Sequence, residues 1–207
     1  MNQDRVSRDV IVIGASAGGV TALVELFGML PADLPAAIGC VLHRGAAPSQ
    51  LASVLGRGSA LPVIEPGSGR RITHGVIYLA PADHHLLFHE DGIEVQRGPR
   101  EHSTRPAIDP LFRSAAATYG RRVVGALLTG CGQDGLSGLI AIRKAHGLSV
   151  VQDPDQAYMP SMPLNALRFD VEGVFSLEDL GRVFARLAKG EAVEASKRTP
   201  TRNRLTT

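Results

Sequence analysis

In Asp9-Val10-Ile11-Val12-Ile13-Gly14-Ala15-Ser16-Ala17-Gly18-Gly19, a short apolar, β-branched run stops at a glycine. Apolar residues without polar alternation predict a strand buried on both faces, as parallel sheets require. Residues 20–30 then place apolar side chains near helical spacing, and Pro31 stops them. The first unit is strand, glycine-rich turn, helix. Working outward, strands are predicted at 36–42, 75–79, 122–128 and 149–152, with a short one at Val174. Helices are predicted at 48–55, 109–119, 134–146 and 177–187, with a helical turn at 164–168. Strands that alternate with helices mean a doubly wound, mostly parallel α/β sheet with helices on both faces. Residues 86–89 and 93–96 flank Glu90-Asp91-Gly92, and the Asp-Gly pair signals a small antiparallel hairpin excursion.

The chain has 207 residues, enough for one α/β domain of ordinary size, and its 44% hydrophobic and 20% charged residues fit a globular enzyme rather than disorder or coiled coil. Residues 189–207 hold five basic and two acidic residues, so the tail carries +3 of the net +2 and the body carries −1. With no basic stripe in the body, nine aromatics and no Trp, the surfaces of a nucleic-acid binder are poorly supplied. Two cysteines make no disulfide framework, and no apolar leader precedes the first strand, so a cytoplasmic protein is expected. The longest uncharged stretch, 10–24, is interrupted by three glycines and is shorter than the ~20 apolar residues of a membrane span, so no membrane insertion is expected. The organisation expected is a lead at 1–8, a catalytic domain at 9–188 and a basic, disordered tail at 189–207.

Three junctions carry candidate chemistry. Gly14-Ala15-Ser16-Ala17-Gly18 is G-x-S-x-G between a strand and a helix, where small residues permit a sharp turn and a helix N-terminus offers N–H groups to an oxyanion. The alternative is a phosphate-binding turn, but the glycines do not fit G-x-G-x-x-G and no acidic residue ends the second strand. His43 follows the second strand, where open α/β sheets place ligands, although a lone histidine is more often a hydrogen-bonded structural imidazole. Asp134 follows Thr129-Gly130-Cys131-Gly132-Gln133, and its alternative role is N-cap of the next helix. Together, a hydroxyl, an imidazole and a carboxylate at one sheet edge supply a serine-type triad. Backbone N–H groups at Ala17 and around Cys131 are the oxyanion candidates. The order Ser, His, Asp differs from the α/β-hydrolase order Ser, Asp, His.

These blocks resemble, in order, the catalytic domain of the chemotaxis protein-glutamate methylesterase family (CheB-type): residues 14–23, Val41-Leu42-His43, Tyr78-Leu79-Ala80-Pro81, residues 105–112, residues 128–135, Val151-Gln152-Asp153 and Met162-Pro163. The resemblance spans about residues 9–188. It implies a Ser/His/Asp hydrolase, without metal or organic cofactor, that removes methyl esters from glutamates on chemoreceptor helices and in some members deamidates glutamines. On these positions Ser16 matches the nucleophile, His43 the base and Asp134 the orienting carboxylate. The chain departs from the family pattern at Ala17 (usually Thr), Arg44-Gly45 (Met-Pro), Ala107 (Ser) and Cys131 (Met). The rival expectations are a weakened member acting as a binding module, and an esterase or deamidase outside chemotaxis. Familiar members carry an N-terminal receiver domain, whereas eight residues precede the first strand here, so constitutive competence or control by a separate receiver protein is expected.

Cys131 beside His43 is set aside as a nucleophile, since a thiol in a glycine-rich turn is more often a small side chain. His84, His85 and His89 are set aside as metal ligands, because on a strand residues four apart sit ~13 Å apart. Arg105 either orients a substrate carboxyl or holds a loop. The basic tail is read as solvated.

Overall fold

The computed structural model describes residues 6–169 and 171–193. In chain order the elements are β1 (Val10–Ala15), α1 (Gly19–Gly28), β2 (Ala37–Leu42), α2 (Leu51–Leu55), β3 (Val63–Ile64), β4 (Ile77–Leu79), β5 (His85–His89), β6 (Gly92–Gln96), α3 (Ile108–Tyr119), β7 (Val123–Leu127), α4 (Leu136–Lys144), β8 (Leu148–Gln152), α5 (Ser161–Ala166), β9 (Gly173–Phe175) and α6 (Leu177–Ala188). Seven strands form one sheet in the order β3-β4-β2-β1-β7-β8-β9, every pair parallel, and β5 with β6 makes a separate antiparallel hairpin. The chain lays strands outward on one side of β1 and then returns to lay β7, β8 and β9 on the other. That reversal makes the C-terminal ends of β1 and β7 the switch point of the sheet, the place where open α/β sheets bind ligands.

β1 shows why the run at 10–15 carries no polar residue. Ile11, Ile13 and Ala15 face a core shared with Leu23, Leu26 and Phe27 of α1 and with Leu180 and Phe184 of α6. Val10 and Val12 face the opposite core, built from Leu86 and Phe88 of the hairpin, Leu111 and Phe112 of α3, and Leu139 and Ile142 of α4. Helix α6 is closed at its start by Ser176, whose Oγ accepts the Asp179 N–H at 3.0 Å.

Three local expectations change. β3 has two residues, too short to leave a periodic signal. α5 begins at Ser161, earlier than 164, because Pro163 lies in the first turn, where a missing N–H costs no helical bond. α4 begins at Leu136 rather than Asp134, with Gly135 as N-cap at φ 92°. The tail expected to be disordered, 189–207, falls mainly on 194–207, outside the described residues, as does most of the 1–8 lead. Up to residue 193 the chain stays against the body: Glu191 pairs with Arg186 at 3.0 Å, and Val193 packs on the α1/α6 core. Among the described residues no helix is long and apolar enough to cross a membrane.

Candidate active site

Ser16 and His43 are the first residues beyond β1 and β2, whose register pairs Ala15 with Leu42. The two side chains therefore leave adjacent parallel strands at one level, and the His43 N–H binds the Ala15 carbonyl at 3.0 Å. Asp134 reaches the same edge from the loop after β7, on the other side of β1. The Ser16 hydroxyl lies 3.1 Å from His43 Nδ1, and His43 Nε2 lies 2.7 Å from Asp134 Oδ2. Side chains 27 and 91 residues apart in sequence thus form one hydrogen-bonded row. Its ring is turned opposite to the serine-protease arrangement, in which Nε2 faces the serine. With its proton on Nε2 donated to Asp134, a neutral ring keeps the Nδ1 lone pair for the hydroxyl.

Asp134 is 1% exposed and caps a helix, but not the one that follows it. Its Oδ2 accepts the Ile108 N–H at 2.7 Å and its Oδ1 the Asp109 N–H at 3.0 Å, the first two N–H groups of α3. Ala107, at the N-cap position of α3, offers no side-chain oxygen, so the carboxylate from the β7 loop takes that role. Burial alone pushes the Asp134 carboxyl up. Hydrogen bonds from His43, Ile108 and Asp109 outweigh burial and hold it below the usual carboxylate range. The carboxylate therefore meets the imidazole ionised and immobile.

Thr129 ties the three loops of the edge together. Its N–H binds Gln152 Oε1 at 2.8 Å, its Oγ1 donates to the Ala17 carbonyl at 2.9 Å, and the same oxygen accepts the Met159 N–H at 2.8 Å. The Ser16 and Gly130 N–H groups are spent on Thr129 and Met159 carbonyls, both at 2.9 Å. Ala17 and Cys131 are exposed, and among the described residues no hydrogen bond occupies either N–H, so both remain candidate donors near Ser16. Two glycines keep this edge open. Gly18 has φ 78° and passes under Tyr158, whose Cβ would lie 2.6 Å from an added Cβ; at Gly130 a Cβ would lie 2.7 Å from that of Ser16.

The remaining candidates lie apart from the row. Arg105 donates to Asp83 Oδ1 through Nε at 2.9 Å and Nη2 at 2.7 Å, and to the Gly98 carbonyl at 2.7 Å, so it holds a loop. Arg44 bridges Glu65 and the Ala80 carbonyl, both at 2.8 Å. His85 binds the Pro99 carbonyl at 2.8 Å and receives the Ala107 N–H at 3.2 Å, while His84 binds the Ala82 carbonyl and His89 sits beside Glu94. Cys40 is buried, which pushes its thiol up to about 12. His102, Asp109 and Asp134 bring ligand-type atoms within 4.8 Å of one another. Their carboxylate oxygens already accept from Gly138, Ile108, Asp109, His43 and His102, so those lone pairs serve hydrogen bonds rather than a cation. The roles of Thr129, Gln152, Asp109 and His102 are not evident from sequence. The one signal was polar residues at strand ends and helix starts.

Residues 11–184 match the family model of the CheB methylesterase domain. A relative from Leptospira interrogans is 36% identical over 182 residues, covering 86% of this chain and 94% of its own. The protein-glutamate methylesterase/protein-glutamine glutaminase of Symbiobacterium thermophilum is 37% identical over 162 residues, 77% of this chain and 45% of its own, so the chain spans about half of that relative. The crystal structure of the Thermotoga maritima CheB methylesterase catalytic domain matches with a TM-score of 0.82 at 27% identity, covering 88% of this chain and all of that one. The parallel sheet and these likenesses agree, and the chain belongs to the CheB methylesterase family, a family of carboxylic ester hydrolases.

Proposed function

We propose that residues 9–188 are a catalytic unit that hydrolyses γ-methyl esters of glutamate side chains on cytoplasmic chemoreceptor helices, with Ser16 as nucleophile, His43 as base and Asp134 as its orienting carboxylate. The observation that carries this reading is the continuous row from Ser16 Oγ through both nitrogens of His43 to Asp134. As Oγ attacks the ester carbon, Nδ1 takes its proton. The ester oxygen becomes an oxyanion, toward which the Ala17 and Cys131 N–H groups are the available donors. Collapse of that intermediate expels methoxide, which takes the proton from Nδ1 and leaves as methanol, with the glutamyl group esterified to Ser16. Water then attacks the acyl-enzyme, gives its proton to Nδ1, and Ser16 recovers it as the glutamate carboxylate departs. Through both halves Asp134 keeps Nε2 protonated and stabilises the transient imidazolium. A glutamine side chain enters by the same route with ammonia as the leaving group, in keeping with the second half of the relatives' name.

The test is methanol release from methylated receptor fragments by the purified chain, together with fluorophosphonate labelling and peptide mapping. Label on Ser16, and loss of both signals in Ser16→Ala, is the expected outcome. Label elsewhere, or unchanged turnover in Ser16→Ala, overturns the reading; absence of methanol release from the methylated fragments favours a binding module.

A further inference from the structure

Behind Asp134 lies a second buried carboxylate that this mechanism leaves unused. Asp109 is 1% exposed. Its Oδ1 accepts the Gly138 N–H at 2.6 Å, and its Oδ2 lies 3.0 Å from His102 Nε2. Asp109 stands in the first turn of α3 and Gly138 in the first turn of α4. Asp134, just ahead of α4, in turn accepts the first two N–H groups of α3, one of them from Asp109 itself. Each helix start is thus capped by a carboxylate from the other segment. The two links close a ring through α3, Asp134, the backbone of 135–138 and the Asp109 side chain.

A local helix start needs no such arrangement, since a Ser, Asp or Asn at the N-cap suffices. Both positions lack one: Ala107 precedes α3 and Gly135 precedes α4, and neither makes a side-chain cap. What the ring does in addition is bind the backbone that follows Asp134 to the helix that Asp134 itself caps.

We propose that Asp109 is a positioning residue of the hydrolytic site: its carboxylate fastens the backbone from which Asp134 reaches His43, and its negative charge adds to that felt by the imidazole. This inference rests on the roles given above to Ser16, His43 and Asp134. The charged groups around the pair are few. Asp109 faces His102 from the loop before α3, Arg113 one turn along α3 at 4.0 Å, and Asp134 from the α4 side; Arg113 is itself paired with Glu101 at 2.7 Å. His43 faces Asp134, and Arg44 beside it in the chain is paired with Glu65. Burial holds the Asp109 carboxyl above the usual range and the nearby Asp134 charge adds to this, while the Gly138 N–H, His102 and Arg113 oppose it and support a negative charge there.

The experiment compares Asp109→Asn and Asp109→Ala with the parent full chain. The His43 imidazole is titrated by NMR in isotopically labelled protein, and kcat and KM for a glutamate methyl ester peptide are measured across pH. The asparagine carbonyl still accepts the Gly138 N–H but carries no charge. Its imidazole midpoint, and the acid limb of kcat/KM, are expected to move to lower pH by about half a unit to about one and a half units, the order expected when one unit charge beyond the adjacent carboxylate is removed. Asp109→Ala, lacking the acceptor, is expected to lose about tenfold or more in kcat with little change in KM, through a displaced Asp134. Asp109→Asn is expected to recover most of that loss. A midpoint in Asp109→Asn that coincides with the parent's overturns the proposal, as does an equal kcat loss in both variants. The NMR titration needs no turnover, so a shifted midpoint supports the coupling even where a missing Ser16 label sinks the hydrolytic reading. Should the alanine variant fail to fold, the asparagine midpoint alone decides.

Discussion

Helices α1 and α6 meet the sheet through Leu23, Leu26, Phe27, Leu180 and Phe184, all fully buried, with no buried carboxylate among them. On the opposite face α3 and α4 also pack through buried apolar side chains, Leu111, Phe112, Leu139 and Ile142, but Asp109 and Asp134 lie buried between their N-termini. The first face contributes non-directional burial, which stabilises without specifying where any atom must point. The second sets two charges in fixed directions, at a desolvation cost that hydrogen bonds offset. Damage to the first face is therefore expected to appear as lost stability, and damage to the second as lost turnover.

The largest effect expected is from Ser16→Ala at the edge between the faces, about 10⁴-fold or more in kcat, with the fold intact by circular dichroism. Asp134→Asn should follow, with a loss of about 10² to 10⁴-fold in kcat and a smaller change in KM, because it disturbs the tautomer and the imidazolium of the transition state. A normal rate in that variant would reduce Asp134 to a helix cap and erase the contrast between the faces. Phe184→Ala, on the α6 side, should cost about 3 to 5 kcal/mol in urea unfolding while the folded fraction keeps kcat within about twofold. A large kcat loss there would show that turnover is not confined to the α3/α4 face.

The two carboxylates sharpen the comparison through pH. The Asp134 carboxyl is held below its unfolded range, so its contribution is present above that range and is lost as pH falls through the folded value. The Asp109 carboxyl is held above its unfolded range, so its ionised form costs stability, and that cost is relieved as pH falls through the raised value. Urea unfolding from neutral to acid pH should show Asp134→Asn gaining on the parent as pH falls, and Asp109→Asn losing ground. Parallel slopes would mean that the two carboxylates sit in equivalent environments. The smallest effect is at the start of α6, beyond the edge strand β9, where Ser176→Ala should remove about 1 kcal/mol of stability and leave turnover alone.

Much of the fold was legible in local pattern. Apolar runs at 10–15, 37–42 and 123–127, each followed by glycines or a helical period, are properties of neighbouring residues, so they place Ser16, His43 and Asp134 after parallel strands without knowledge of the rest. The hairpin at Asp91-Gly92 was legible for the same reason. β3, with two residues, left no period to detect, and α5 was misplaced because Pro163 marks a break only inside a helix.

Sequence determined which chemical groups stand at the sheet's C-terminal edge, because a strand and the turn that follows it are written in consecutive residues. Tertiary structure alone decided how they meet. Asp134 caps α3, 25 and 26 residues away in sequence, instead of its own helix; His43 presents Nδ1 to Ser16; and Asp109 fastens Gly138. Such choices depend on which unsatisfied N–H groups packing brings within about 3 Å of a carboxylate, and backbone donors at a helix start are alike in every sequence until the chain has folded around them.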